Sequence, residues 1–318
     1  EDTTVAIQQL AKLHAKSMPC KKIMVGGSNG KTTTKEVTRT ILEGLGNTLA
    51  TPGNWNNHIG VPLTLLSLRP EHEFAVIEMG TNHPGEMSVL CDLISTDIGI
   101  ITNIGKEHLE GFGSIEAIAK EESEVFASVI KHNGKGIVNL DDTWLHSMSK
   151  RLKNVTTISL INPQAQCYAE IKAEMPELQF DFYFDGSNIG TFTSPLSGRY
   201  NAYNLLFGVA TAHLLGMSAK DAMLRACTYK PTNNRSEWRT IGKAQLFLDA
   251  YNANPSSMSV AIQSFATISG SKLFFLGDML ELGEHAAYEH QQILALCEEL
   301  NLQDSTYLVG AEFYQSCP

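Results

Sequence analysis

Hydrophobic and polar positions along this chain follow two rhythms. Short, nearly continuous apolar runs bounded by Gly, Pro and Asn read as buried strands, and the longer stretches between them carry apolar residues near helical spacing. Residues 1–20 predict an amphipathic helix through Val5, Ala6, Leu10 and Leu13, ended by Met18 and Pro19. A chain that opens on a helix is expected to have something ahead of it. Strand 22–25 is followed by a helix carrying Val37, Ile41 and Leu42, which stops at Gly44 and Gly46. Further strands are expected at 47–50, 74–80, 98–105 and 136–142, with helices at 85–94 and, capped by Ser114, at 115–131. Strands alternating with helices predict a parallel sheet.

From 155 to 195 the rhythm changes to strands broken by turns, at 156–160, 168–173, 180–184 and 190–192. These predict a small antiparallel addition beside the main sheet. Helices are expected at 201–215 and 218–228, and Pro231 marks a boundary between domains 1–229 and 230–318. Beyond it, a hairpin at 238–248, a helix from Ser256, strand 272–277, helix 285–300 and strand 306–310 predict a second parallel α/β unit, expected to be incomplete. No internal repeat or low-complexity segment is seen.

Composition narrows the classes. With 318 residues, 43% of them hydrophobic, the chain can bury two cores. Cys20, Cys91, Cys167, Cys227, Cys297 and Cys317 lie far apart without a C-x-x-C pair, which argues against a zinc site or a disulfide framework and for a reduced, cytoplasmic setting. No apolar run approaches the roughly 20 residues of a membrane helix, and no signal-peptide layout opens the chain. The net charge of −10 argues against a nucleic-acid surface. An anionic ligand must therefore be met by local charge.

That local charge sits in Val25-Gly26-Gly27-Ser28-Asn29-Gly30-Lys31-Thr32-Thr33-Thr34, a glycine-rich turn between a strand and a helix. Backbone N–H groups, a helix N-terminus, the Lys31 ammonium and the Thr32 hydroxyl together suit a polyphosphate with Mg²⁺. The strict G-x-x-x-x-G-K-[ST] pattern fails at Val25, so a plain strand-to-helix turn stays open. Glu78 ends an apolar strand, where a parallel sheet gathers ligands, and reads either as a metal ligand or as a solvated strand end. His108 follows the next strand on the same side, as a ligand or as a structural histidine. The loop 51–62, dense in Asn, Gly and Pro, is either a turn using Asn for left-handed backbone or a surface for a polar ligand.

Several motifs in one order resemble the Mur ligase family of peptidoglycan synthesis. They are Gly27-Ser28-Asn29-Gly30-Lys31-Thr32-Thr33, Asn54-x-Asn56-Asn57-x-x-Gly60-x-Pro62, Glu78-Met79-Gly80, Thr102-Asn103-Ile104-Gly105-x-x-His108-Leu109-Glu110, Gly198-x-x-Asn201-x-x-Asn204, Tyr251-Asn252-Ala253-Asn254-Pro255 and Leu276-Gly277-Asp278-Met279-x-Glu281-Leu282-Gly283. The last two resemble the branch of that family that adds D-Ala-D-Ala to UDP-N-acetylmuramoyl-tripeptide. The rivals are a folylpolyglutamate-type ligase and a non-catalytic nucleotide-binding protein on the same scaffold. The resemblance implies an α/β chain with a P-loop-type central parallel sheet, then a Rossmann-like α/β domain.

It further implies an ATP-dependent amide ligase working through an acyl phosphate, with small-molecule substrates and a monomeric state. Lys31, Glu78 and His108 would be catalytic. Gly27, Ser28, Asn29, Gly30, Lys31, Thr32, Thr33, Asn204, Arg235 and Asp249 would hold ATP, and Thr32, Glu78 and His108 would hold Mg²⁺. Asn54, Asn57, Thr81, Asn82, Tyr251, Asn252 and Asn254 would face the other substrates. Two departures stand out. Many Mur ligases carry a carbamylated lysine where this chain has Glu122, which is either a substitute Mg²⁺ ligand or a solvated helix residue. The family's UDP-sugar domain is also missing ahead of Glu1, so the chain is expected to be a fragment that binds ATP weakly and does not ligate efficiently.

Overall fold

The computed structural model describes residues 2–232 and 234–316; Glu1 and Cys317, used above, lie outside them. Helix α1 (Thr3–Ser17), capped by the Asp2 carboxylate, leads into β1 (Lys21–Gly26), whose residues are buried from Lys22 onward. Helix α2 (Lys31–Leu42) follows, turning Val37, Ile41 and Leu42 onto the sheet. Strand β2 (Thr48–Ala50), helix α3 (Gly60–Leu66), the wholly buried β3 (Phe74–Glu78), helix α4 (Glu86–Asp92) and β4 (Ile98–Ile101) continue the alternation. A short turn, α5 (Leu109–Phe112), precedes α6 (Ile115–Glu122) and α7 (Glu124–Lys131).

Strand β5 (Lys135–Asn139) and helix α8 (Thr143–Ser149) come before β6 (Val155–Ser159), β7 (Cys167–Ala173), β8 (Leu178–Phe184) and β9 (Ser187–Ser194). All nine strands form one sheet in the order β2-β3-β1-β4-β5-β6-β7-β8-β9. Its β2-to-β7 portion is parallel and only β7-β8-β9 is antiparallel. Two apolar clusters, one on each face, form the core.

Three expectations need correction. The change of rhythm at 155 does not mark the antiparallel addition, because 156–159 lies in β6, a parallel strand. Helix α8, missed in the sequence, supplies the crossover that returns the chain in the same direction. The addition β7-β8-β9 lies at the edge of the main sheet, beside it as expected. The helix expected at 115–131 breaks at Ser123, whose hydroxyl donates back to the Lys120 carbonyl at 2.6 Å. Strands 74–80 and 98–105 end at Glu78 and Ile101, which leaves loops free to line a site.

Helices α9 (Tyr200–Leu214) and α10 (Ala219–Ala226) cover one sheet face. The remaining segment has a hairpin, β10 (Glu237–Ile241) and β11 (Ala244–Leu248), then α11 (Pro255–Ala266), β12 (Phe274–Gly277), α12 (Ala286–Glu299), β13 (Thr306–Val309) and α13 (Ala311–Ser316). Strands β12 and β13 pair in parallel, as the alternation predicts. Among the described residues no helix is long and apolar enough to cross a membrane, and the five described cysteines are free.

Candidate active site

Because β3, β1 and β4 are adjacent and parallel, the loops after them meet at one edge of the sheet. There a cleft of ≈ 820 Å³ opens, closed from the other side by residues 235–260 and Glu281. Every residue singled out above for a site lines it, except Gly27 and Glu122.

The turn after β1 is a cradle with a shifted opening. Gly27 has φ +107 and a Cβ there would fall 2.6 Å from the Thr102 backbone nitrogen; Gly30 has φ +82 and a Cβ would fall 2.6 Å from Asn204 Oδ1. Only glycine fits either place. The N–H of Gly27 donates to Glu122 Oε2 (2.6 Å), that of Ser28 to the Asn103 carbonyl (2.9 Å) and that of Asn29 to Asn103 Oδ1 (3.1 Å). Those three donors are engaged. Among the described residues the N–H groups of Gly30, Lys31, Thr32 and Thr33 have no acceptor, so the donors open to an anion lie at the helix start and not along Gly27–Asn29.

Lys31 Nζ donates to the carbonyls of Gly27 (2.5 Å) and Ser28 (3.0 Å) and pairs with Glu107 Oε2 at 3.4 Å. Burial works against its charge, but Glu107, Glu122 and Glu78 outweigh that and raise its pKa. Burial also pushes Glu107 up to about 8 and Glu122 up to about 7, more than Lys31 lowers them. Glu107 went unnoticed in the sequence, where a lone carboxylate in a loop carries no signal.

Thr32 Oγ1 donates to Glu78 Oε1 (3.1 Å), and Asn56 Nδ2 donates to the same oxygen (2.9 Å). Glu78 Oε2 is buried without a hydrogen-bond partner among the described residues. A hydroxyl beside an under-satisfied carboxylate suits a hard cation such as Mg²⁺, which completes its shell with phosphate oxygens and water. The other two metal candidates are differently engaged. His108 Nδ1 is hydrogen-bonded to Glu281, and burial lowers the His108 pKa despite that partner. Glu122 is fully enclosed behind Gly27, outside the cleft. No cluster of three His, Cys, Asp or Glu side chains able to hold a metal occurs among the described residues.

On the opposite wall the Arg235 guanidinium stacks 3.7 Å from the Tyr251 ring centroid, and Asp249 accepts the Ser236 N–H at 3.0 Å. Asn204 accepts from Thr34 Oγ1 at 3.0 Å and donates to Asn201 Oδ1 at 2.8 Å. Thr81 and Asn82 belong to a loop tied by Glu86 and Glu121. Asn54, Asn57 and Asn252 line the cleft, and the Asn57 side-chain Oδ1 also accepts the Gly60 N–H at 2.9 Å. Asn56, quoted only as part of a motif, is the asparagine that touches Glu78.

Comparison with known proteins identifies the family. The chain matches the Mur ligase middle domain over residues 25–212 and the Mur ligase glutamate ligase domain over 234–316. It is 34% identical to UDP-N-acetylmuramoyl-tripeptide–D-alanyl-D-alanine ligase of Escherichia coli (92% of this chain, 65% of the relative) and 35% identical to that of Bacillus subtilis (92% and 63%). The chain thus spans about two thirds or slightly less of these relatives. A crystal structure of MurF from Acinetobacter baumannii superposes with a TM-score of 0.89 at 31% identity, covering 99% of this chain and 69% of that one. MurF from Thermotoga maritima in complex with ADP gives 0.88 at 26% identity, with 99% and 72% coverage. With one family model matching more than half of its length, this chain belongs to the Mur ligase family.

Proposed function

We propose that the chain carries the ATP-handling core of a ligase joining D-Ala-D-Ala to UDP-N-acetylmuramoyl-tripeptide. The observation that carries this is the convergence of Lys31, Thr32, Glu78 and the open N–H groups of Gly30–Thr33 on one cleft, faced by Arg235, Asp249 and Tyr251. Residues 1–229 would supply the phosphate side and 230–318 the nucleoside side.

In this reading the γ-phosphoryl of ATP passes to the tripeptide carboxylate, forming an acyl phosphate and ADP. The amine of D-Ala-D-Ala attacks the acyl carbon, loses a proton and expels phosphate. Lys31 and the helix-start N–H groups hold the phosphates in line, where positioning and charge neutralisation carry most of the catalysis. Thr32 and Glu78 would hold Mg²⁺, which supplies charge neutralisation at the phosphate oxygens. The relatives' names motivate the substrates, and ATP with a UDP-linked substrate points to a cytoplasmic enzyme.

Calorimetric titration with ADP and Mg²⁺, beside phosphate release with ATP, UDP-tripeptide and D-Ala-D-Ala, tests the assignment. Lys31→Ala should weaken nucleotide binding at least tenfold and, in the full-length protein, abolish phosphate release dependent on both substrates. Equal binding by Lys31→Ala and the unaltered chain would sink it.

A further inference from the structure

Lys35 lies one helical turn beyond Lys31 on α2, and its side chain is fully enclosed, with 0% exposure. An ammonium is buried only where its donors and charge are answered. Lys35 Nζ donates to the carbonyls of Thr51 (2.8 Å) and Gly53 (2.7 Å). It also pairs with Glu36 Oε1 at 3.0 Å and Glu78 Oε2 at 3.4 Å. Lysine in an amphipathic helix ordinarily points to water, so this inward placement calls for an explanation.

Glu78 supplies it. Its Oε1 is committed to Thr32 and Asn56, while Oε2 lacks a hydrogen-bond donor and meets the Lys35 charge. The Glu78 N–H donates to Thr51 Oγ1 at 2.9 Å, so Lys35 grips the same residue that anchors the Glu78 backbone. Through Gly53 it also holds the segment from which Asn56 reaches Glu78.

We propose that Lys35 is a positioning residue for Glu78, fixing the carboxylate that meets the divalent cation escorting the nucleotide. This rests on the nucleotide-binding reading above. Lys35 does not line the cleft, so its effect runs through Glu78 and not through nucleotide contacts.

The test uses Mn²⁺ as probe. Its binding to the protein–ADP complex is followed by electron paramagnetic resonance, beside ADP affinity in EDTA and thermal midpoints, for the unaltered chain, Lys35→Met, Glu78→Gln and the double variant. Lys35→Met should weaken ADP-dependent Mn²⁺ binding at least tenfold while metal-free ADP affinity stays within twofold. In the Glu78→Gln background the same substitution should change Mn²⁺ binding by less than twofold. Additive losses in the two backgrounds, or equal losses of Mn²⁺ and metal-free ADP binding, would overturn the inference. If Lys35→Met does not fold, recovery of folding in the double variant supports the pairing and continued failure refutes it. An unaltered chain that binds no ADP sinks the nucleotide reading itself, a separate result from an unaltered chain that binds Mn²⁺–ADP as tightly as Lys35→Met does.

Discussion

Asn254 Nδ2 donates to Asn29 Oδ1 at 2.7 Å, joining two residues 225 positions apart and tying the C-terminal segment directly to the glycine-rich turn after β1. The same Asn254 caps α11 by accepting the Ser257 N–H at 2.8 Å, within a reciprocal capping box. One side chain thus starts a helix and holds that helix against the cradle.

Asn254→Ala removes both roles. Loss of the cap should cost about 1 kcal/mol in urea unfolding, and ADP affinity should fall with it. Asn254→Asp keeps the cap acceptor but sets a carboxylate against Asn29 Oδ1. It should unfold near the parent midpoint yet still bind ADP more weakly.

Gly30→Ala and Gly85→Ala separate backbone strain from crowding. Both glycines have positive φ, +82 and +91, but a Cβ at Gly85 would meet nothing within 4 Å, whereas one at Gly30 would strike Asn204. Gly85→Ala should cost about 1–2 kcal/mol by chemical unfolding. Gly30→Ala should cost more and lower nucleotide affinity as well.

The contribution of Glu107 and Glu122 to stability should fall as pH rises from about 4.5 to about 8. Glu107 and Glu122 are raised from 4.5 to about 8 and about 7, so in that window the folded chain keeps protons that the unfolded chain has released. Their contribution therefore weakens as pH rises through the interval, and it is fully present below the unfolded value. Glu107→Gln should flatten the upper part of the profile. Urea midpoints taken across the interval check the sign.

Glu122 is expected to brace the turn. Its Oε2 accepts the Gly27 N–H in a sealed space, so Glu122→Ala should cost about 1–3 kcal/mol by stranding that donor. Glu122→Gln retains an acceptor and should leave both stability and Mn²⁺ binding nearly unchanged. A large loss of Mn²⁺ affinity in Glu122→Gln would restore it as a metal ligand.

The glycine-rich turn was legible because its signals are local: glycines, Lys31 and Thr32 stand within a few residues at a strand-to-helix junction. Glu78 and His108 were legible through strand ends, since parallel strands deliver their loops to one edge. The failures have a physical pattern. Helix α8 was missed, and with it the direction of β6, because strand direction is set by the crossover and not by the strand's own residues.

Local sequence is sufficient for element type and for the cradle, because periodicity and turn chemistry act over a few residues. Which N–H groups remain open, which asparagine touches Glu78, and why Lys35 turns inward depend on strand order β2-β3-β1-β4, which brings 51–56, 78 and 103–108 around one helix start. Glu122 shows the difference most clearly. On its helix it reads as a solvated acid or a metal ligand, and only packing against Gly27 makes it a buried acceptor, because burial and partner are properties of neighbours distant in the chain.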